Sequence, residues 1–410
     1  MMKKSEESWC NLAVYRATVV EDYEIEKPKI AGVPFVFDDW SLAFRLGFKG
    51  KSLWYMVNTR KVLYHEFKIP KATGGKRVIH EPKPMLKLLL RQLRSRILLP
   101  LVGKLGPHVT AYQLGHSTKD AAIRHLADCH VCVLQDKPHT CDWSIEGSSS
   151  AGKYVVTKQN KSDCLACKSV PQHECIRRGV SIHMDLKNFF TSTKMSWIRN
   201  YFKEVVGYNH YVSGLLATLL TVPFEQPVQC VGVPQGSPAS GDICNLVADW
   251  MIDQTLLAYA KDNGWTYSRY ADDLYFSHTQ NLPGKDIGAF IQQVTSAITK
   301  SGYRVNTKKT RVQRPQFRKA VLGIVINQKV NMPHDQFRKM RSLIHNCVTT
   351  GFEAQAKRAK KENGAQLKSY IEGRLAYISM IVPERALRLR KVYDFAVTKD
   401  EQCATTPVSD

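Results

Sequence analysis

Residues 267–278 read YSRYADDLYFSH, two apolar half-strands with Tyr270-Ala271-Asp272-Asp273 between them. Adjacent carboxylates at a hairpin tip repel each other and gain nothing structurally unless a cation sits there. A second stretch, GVSIHMDLKNFF at 179–190, reads as a buried strand closed by Asp185. Side by side in one sheet, the two strands would bring Asp185, Asp272 and Asp273 to a single edge, as hard oxygen ligands for Mg²⁺ should converge. Two such ions, roughly 3.5 to 4 Å apart, serve phosphoryl transfer by activating the attacking oxygen and stabilising the leaving group.

The charge of the whole chain agrees with that chemistry. Its 410 residues carry 59 Lys and Arg against 36 Asp and Glu, a formal net charge of +23, which calls for a polyanionic partner. With 43% hydrophobic residues the chain is of ordinary globular composition. Nucleic acid is the first candidate and an anionic membrane surface the second. No stretch approaches the roughly 18 uninterrupted apolar residues of a spanning helix, and the first ten residues show no apolar core of a signal peptide. A cytoplasmic protein with no membrane partner is expected.

Outward from the carboxylates, YHEFKIPKATGGKRVIHEP at 64–82 predicts a hairpin around Gly74-Gly75, since paired glycines supply the positive φ of a tight turn. Leu86, Leu89, Leu90, Leu93 and Ile97 are spaced for a helix over 85–99, and a second helix is expected over 118–126. Further helices are expected near 197–220, 242–258 and 285–301. YRVNTKKTRV and KAVLGIVIN read as strands, and everything after Met332 as basic helices.

Taken in order, these segments resemble the reverse transcriptases of bacterial retroelements, most closely the retron type, over roughly residues 60 to 395. FKIPKATGGKRVIHEPKPMLKLLLRQL (67–93) and VTAYQLGHSTKDAAIRH (109–125) are similar to the two fingers motifs. Asp185 with Phe190 resembles palm motif A, GVPQGSPASGDICNL (232–246) motif B, YADD motif C, and GYRVNTKKTRV and RKAVLGIVIN motifs D and E. The resemblance implies catalytic, Mg²⁺-binding roles for Asp185, Asp272 and Asp273. It implies nucleotide contacts from Lys71, Lys76, Arg77, Gln235 and Gly236, with Phe190 beneath the sugar to exclude a 2′-hydroxyl. Lys309 would lie near the leaving pyrophosphate as a general acid. Two departures concern the subtype: Ala121-Ala122-Ile123-Arg124-His125 stands where retron enzymes carry Asn-Ala-x-x-His, and Val321-Leu322-Gly323 where they carry Val-Thr-Gly. Non-retron defence and abortive-infection reverse transcriptases therefore stay open, as does a catalytically silent RNA-binding scaffold.

Between the second fingers motif and motif A the composition changes. Six of the eleven cysteines fall between Cys129 and Cys175, and one unit occurs twice: Cys129-x₂-Cys132 with His139-x-Cys141, and Cys164-x₂-Cys167 with His173-x-Cys175. Paired C-x₂-C knuckles deliver thiolates in a geometry suited to tetrahedral Zn²⁺. The simplest site is Cys129, Cys132, Cys164 and Cys167. Alternatively the repeated His139-x-Cys141 and His173-x-Cys175 complete two sites instead. GSSSAGKY at 147–154 matches a phosphate-loop spacing but has Tyr154 where a Ser or Thr should hold Mg²⁺, so it reads as a linker.

The expected fold is α+β, a right-hand polymerase: N-terminal segment and fingers over 1–127, a zinc-binding insertion over 128–178, a palm with an antiparallel sheet over 179–331, and a helical thumb and tail over 332–410. The expected function is RNA-directed DNA synthesis. If retron-like, the resemblance implies a structured non-coding RNA as template and primer, dNTPs as substrates, an RNA–DNA hybrid product, and anti-phage defence with a separate effector protein.

Overall fold

The computed structural model describes residues 28–70, 74–126, 179–224, 230–327 and 329–405. Lys71, the eight Cys and His positions of the insertion and the GSSSAGKY linker lie outside them.

Helices α1 (Asp39–Leu46) and α2 (Gly50–Thr59) lead into the hairpin β1 (Tyr64–Pro70) and β2 (Lys76–Pro82). The hairpin is antiparallel, with Phe67 opposite Ile79, and Gly74 and Gly75 take φ of +88° and +82°. The helix expected over 85–99 is α3 (Pro84–Leu93), a π-helical turn over 94–98 and α4 (Leu99–Val102). Pro100 has no N–H to return to Arg96, so the ladder widens there. Next come α5 (Thr118–Arg124), β3 (Val180–Asp185), α6 (Phe189–Ser192) and α7 (Met195–Asn200). The expected long helix breaks at Gly207, whose φ is +86°, before α8 (His210–Leu220). Strands β4 (Val222–Phe224) and β5 (Cys230–Gly232) precede α9 (Ser240–Ala248) and α10 (Gln254–Asp262). The hairpin β6 (Trp265–Tyr270) and β7 (Asp273–His278) is followed by α11 (Gly284–Lys300) and β8 (Arg311–Gln313). A four-stranded sheet has the order β6-β7-β3-β8, which makes the strands carrying the carboxylates neighbours.

Two expected strands are not continuous. YRVNTKKTRV first pairs with the end of β3 through the antiparallel bridge of Val305 with Leu186, where the Asn306 N–H bonds the Asp185 carbonyl at 2.7 Å, and a 3₁₀ turn over Thr307–Lys309 then separates that bridge from β8. KAVLGIVIN forms β9 (Ala320–Val321) and β10 (Ile324–Val325), antiparallel around Leu322 and Gly323. Both turn residues have positive φ, +50° and +79°, the geometry a two-residue hairpin demands. Leucine is not a residue that advertises such a turn.

The chain forms two compact units. The described part of the first comprises 28–116, 183–274 and 283–311. Its interior includes Leu53, Leu89, Leu90, Leu93, Phe202, Leu216, Ile243 and Val247, all buried. The second comprises 117–126, 179–182, 275–282 and 312–405. It ends in four helices, α12 (His334–Thr350), α13 (Phe352–Arg358), α14 (Gly364–Ile381) and α15 (Pro383–Thr405). Met340, Ile344 and Cys347, then Leu367, Ile371, Leu375 and Ile378, then Leu389 and Tyr393 repeat every three or four residues and share one core. Arg338, Lys339, Arg341, Arg388 and Lys391 lie on the exposed faces.

A smaller core in the second unit gathers Ala121, Ala122, Tyr275, Val321, Ile324, Ile326 and Ile381, with Leu322 packed against it. Both family departures, Ala121 and Leu322, thus fall in one apolar cluster. His125 is 1% exposed beside it, a ring nitrogen 2.8 Å from the Ser277 hydroxyl. Burial pushes its pKa down to about 3, with the charge of Arg124 adding to the effect. Between that value and the roughly 6.5 of an unfolded histidine, the unfolded chain binds one proton more than the folded one, so stability falls as pH drops below 6.5. This site should contribute a slope of about 1.4 kcal/mol per pH unit. His125→Gln, followed by urea unfolding from pH 7 to 4.5, should flatten the acid limb by that amount, and an unchanged slope would show that His125 is not the group responsible.

Candidate active site

All the contacts that follow lie within the first unit. The β6–β7 turn sets two carboxylates by bending sharply: Ala271 takes φ of +55°, a strained value for a residue with a Cβ. The turn rests on Arg269, which is 0% exposed. Its Nε donates to both oxygens of Asp253 (3.0 and 2.9 Å), and its Nη2 to Asp253 Oδ2 (2.7 Å) and to the Asn245 carbonyl (3.1 Å). Its Nη1 donates to Asn245 Oδ1 at 2.8 Å and to the carbonyl of Ala271 at 3.4 Å. Asn245 in turn donates from Nδ2 to the Ala111 carbonyl at 2.6 Å, and the backbone N–H of Thr110 bonds the Arg269 carbonyl at 3.0 Å. One guanidinium thereby ties the carboxylate turn to helix α9 and to residues 108–111.

Asp185 reaches the same place from β3. The Leu186 N–H donates to the Asp272 carbonyl at 2.8 Å, which fixes the end of β3 against the turn. Asp185 is 4% exposed, and its two oxygens accept from Asn306 Nδ2 (3.0 Å) and Lys309 Nζ (2.7 Å). His183 Nε2 lies 2.7 Å from Asp273 Oδ1. Asp272 has the most frustrated charge: burial first, then the carboxylates of Asp273 and Asp185, hold its pKa above the usual range. Lys309 is held above the usual lysine value, chiefly by its hydrogen bond to Asp185. Three carboxylates crowded together with one ammonium among them are an all-oxygen donor set that a divalent cation would relieve.

Among the described residues, the ligand atoms that gather within 4.8 Å of one another in a group of three are not these but those of His108, Asp249 and Asp253. That second group is already satisfied by protons. Asp253 is taken by Arg269 and by the Tyr267 hydroxyl at 2.8 Å, and Asp249 by His108 at 2.8 Å and by Gln254. Its carboxylates are bound by protein donors, which makes the group a support for the turn.

The remaining expected residues surround the turn to different degrees. Lys76 and Arg77 are exposed on β2. Gln235 and Gly236 lie in the loop before α9, where the Gln235 carbonyl accepts from the His80 N–H at 2.7 Å. Gly236 has φ of +119°, and a Cβ there would stand 2.8 Å from Ile79 Cγ2 and 2.9 Å from the His80 carbonyl oxygen, so only glycine fits. Phe189 is core, stacked on Tyr303 at 5.9 Å, while Phe190 is half-buried.

Sequence reasoning missed Arg269, His183, Asn306 and the ring of Tyr112. For Arg269 the signal was present, a charge inside an otherwise apolar strand. His183 shares the strand face of Asp185 by the two-residue period. For Asn306 and Tyr112 no local pattern marks the residue.

The model of the family described as reverse transcriptase (RNA-dependent DNA polymerase) matches residues 69–326. The chain belongs to that family. Its relatives are of the bacterial retron type. It is 29% identical over 344 residues to the retron Mx65 reverse transcriptase of Myxococcus xanthus, covering 80% of this chain and 64% of that one. It is also 30% identical over 165 residues to the retron Ec86 reverse transcriptase of Escherichia coli, covering 40% of this chain and 48% of that one. The chain thus spans rather less than two thirds of the Mx65 enzyme. Among solved structures it is similar to a telomerase of Candida tropicalis in complex with a TWJ fragment of telomeric RNA, at 13% identity and a TM-score of 0.41, covering 88% of this chain and 67% of that one. Within this member of the reverse transcriptase family the buried Arg269 pair is the support most exposed to mutation. Arg269→Ala would leave Asp253 charged in the interior without its guanidinium, a loss of about 3–5 kcal/mol. Urea unfolding at pH 7 checks this, and a loss under about 1 kcal/mol would mean that the interior tolerates the bare carboxylate.

Proposed function

We propose that the chain is an RNA-directed DNA polymerase of the retron type, copying a cognate structured non-coding RNA that serves as template and primer. The observation that carries the reading is the meeting of Asp185 with Asp272 and Asp273 through the bond from Leu186 N–H to the Asp272 carbonyl. The three carboxylates would hold two Mg²⁺, which when bound stabilise charge on the attacking hydroxyl and on the leaving pyrophosphate. The 3′-hydroxyl of the growing strand forms a bond to the α-phosphorus of a dNTP as the bond to pyrophosphate breaks.

The chain's own residues bind and orient. Lys71, Lys76 and Arg77 neutralise the triphosphate, Arg in bidentate fashion. Gln235 and Gly236 let backbone approach the nucleotide, from a loop held against β2 by the close packing of Gly236 on Ile79 and His80. Phe190 lies beneath the sugar, a placement supported by its half-open ring beside the buried Phe189. Lys309, protonated on Asp185, is placed to give a proton to the departing pyrophosphate. The exposed cations of α12 and α15 grip RNA and the RNA–DNA hybrid by their phosphates, with base identity read elsewhere.

The reading extends to zinc in the insertion, to bacterial cytoplasm and to anti-phage defence with a separate effector. Among the described residues no helix is long and apolar enough to cross a membrane. Cys129, Cys132, Cys164 and Cys167 hold one ion, or, if there are two, His139 with Cys141 and His173 with Cys175 complete the two sites. Thiolate sites of this kind contribute folding energy directly.

Two outcomes follow. Asp272→Asn removes a hard anionic ligand and should abolish primer extension on an RNA template, while affinity for RNA, which resides in basic residues elsewhere, stays within about twofold. Undiminished extension by that variant would remove the carboxylates from the mechanism. Elemental analysis of the purified full chain should find one or two zinc ions, lost on Cys164→Ser with Cys167→Ser. A metal-free preparation whose insertion resists protease would end the zinc reading.

A further inference from the structure

Tyr112 is held in place at some expense. It is not glycine, yet its φ is +55°, a left-handed value that costs of order 1–3 kcal/mol. Its ring lies over the bare α-carbon of Gly241, where a Cβ would stand 2.6 Å from the ring. Two local features are thus arranged around one side chain. Core filling does not account for them, since Tyr112 is 47% exposed and its hydroxyl makes no hydrogen bond among the described residues. The hydroxyl also lies within reach of the charges of Asp272 and Arg77, the proposed metal ligand and triphosphate ligand.

The ring's aromatic neighbour is Phe190, at 6.3 Å between centroids and 69° between planes. Phe190 meets Phe189 at 5.6 Å in the same edge-to-face manner. Phe189 is core and cannot yield. Phe190 is therefore flanked by two rings, one buried and immobile, the other supplied by Tyr112 from the first unit's 108–116 segment. A ring that excludes a 2′-hydroxyl discriminates only if it cannot swing aside when the larger sugar arrives, because a soft wall lets the penalty relax.

We propose that Tyr112 is a positioning residue for sugar selection, a backstop that keeps the Phe190 ring from rotating away from a ribonucleotide. This rests on the reading of Phe190 as the sugar gate. It assigns a role to the strained backbone, to Gly241 and to the open half of the phenol ring together. The ring does the work, and the hydroxyl is dispensable.

The test is the ratio of kcat/KM for dNTP over rNTP, measured with the full chain on a primed RNA template, because a purely structural role would lower both rates and leave their ratio alone. Tyr112→Ala should lower the ratio about tenfold or more, and Tyr112→Phe should keep it within about twofold. Gly241→Ala, which displaces the ring without removing it, should lower the ratio too, so the test survives if Tyr112→Ala fails to fold. Since Tyr112 acts through Phe190, adding Tyr112→Ala to Phe190→Ala should change the ratio no further. An undisturbed ratio in Tyr112→Ala and Gly241→Ala beside a collapsed one in Phe190→Ala overturns the backstop and spares the gate. Losses that multiply in the double variant also overturn it, by giving Tyr112 a contact of its own. An undisturbed ratio in Phe190→Ala ends the gate reading itself, and the backstop with it.

Discussion

A guanidinium buried among carbonyls and a carboxylate is costly to place and, once placed, costly to disturb. Arg269 is such a group, and it ties the carboxylate turn to the rest of its unit. It spends both charge and hydrogen bonds on three separate pieces of chain: Asp253 after α9, Asn245 within α9, and Ala271 in the turn. Its contact with the Ala271 carbonyl adds to the bonds of Leu186 to Asp272 and of His183 to Asp273 in fixing the turn. The cluster of His108, Asp249 and Asp253 is then understood as the far side of the same support.

Charge at the turn itself is left incompletely satisfied. Asp185 has Lys309 and Asn306, Asp273 has His183, and Asp272 is pressed by burial and by both other carboxylates. Supports are saturated and the working groups are not. That division is what a site awaiting a cation and a polyanionic substrate requires, and it sits in a chain whose net charge of +23 favours the approach of nucleic acid.

Much of this was legible in the residues. The alternation around Asp185 and YADD gave neighbouring strands because a buried carboxylate at a strand end and a carboxylate pair at a turn have few other uses. Gly74-Gly75 gave the hairpin through the φ that glycine permits. The breaks were harder to see. Leu322 takes a left-handed turn that its side chain does not announce, and the Asn306 side chain finds its partner in Asp185, 121 residues away. Tyr112 depends on Gly241, another distant residue, so no window of sequence contains the reason for it. The paired departures at Ala121 and Leu322 weakened the retron resemblance when read one at a time, yet they meet in one apolar core. Their meeting explains why both residues are apolar.

The most direct measurement of the central claim is single-turnover incorporation of a dNTP by the full chain on a primed RNA template, followed across a Mg²⁺ titration. The account predicts incorporation that rises with Mg²⁺ to saturation and disappears on chelation with EDTA. A folded, RNA-binding protein that extends no primer at any Mg²⁺ concentration would contradict it.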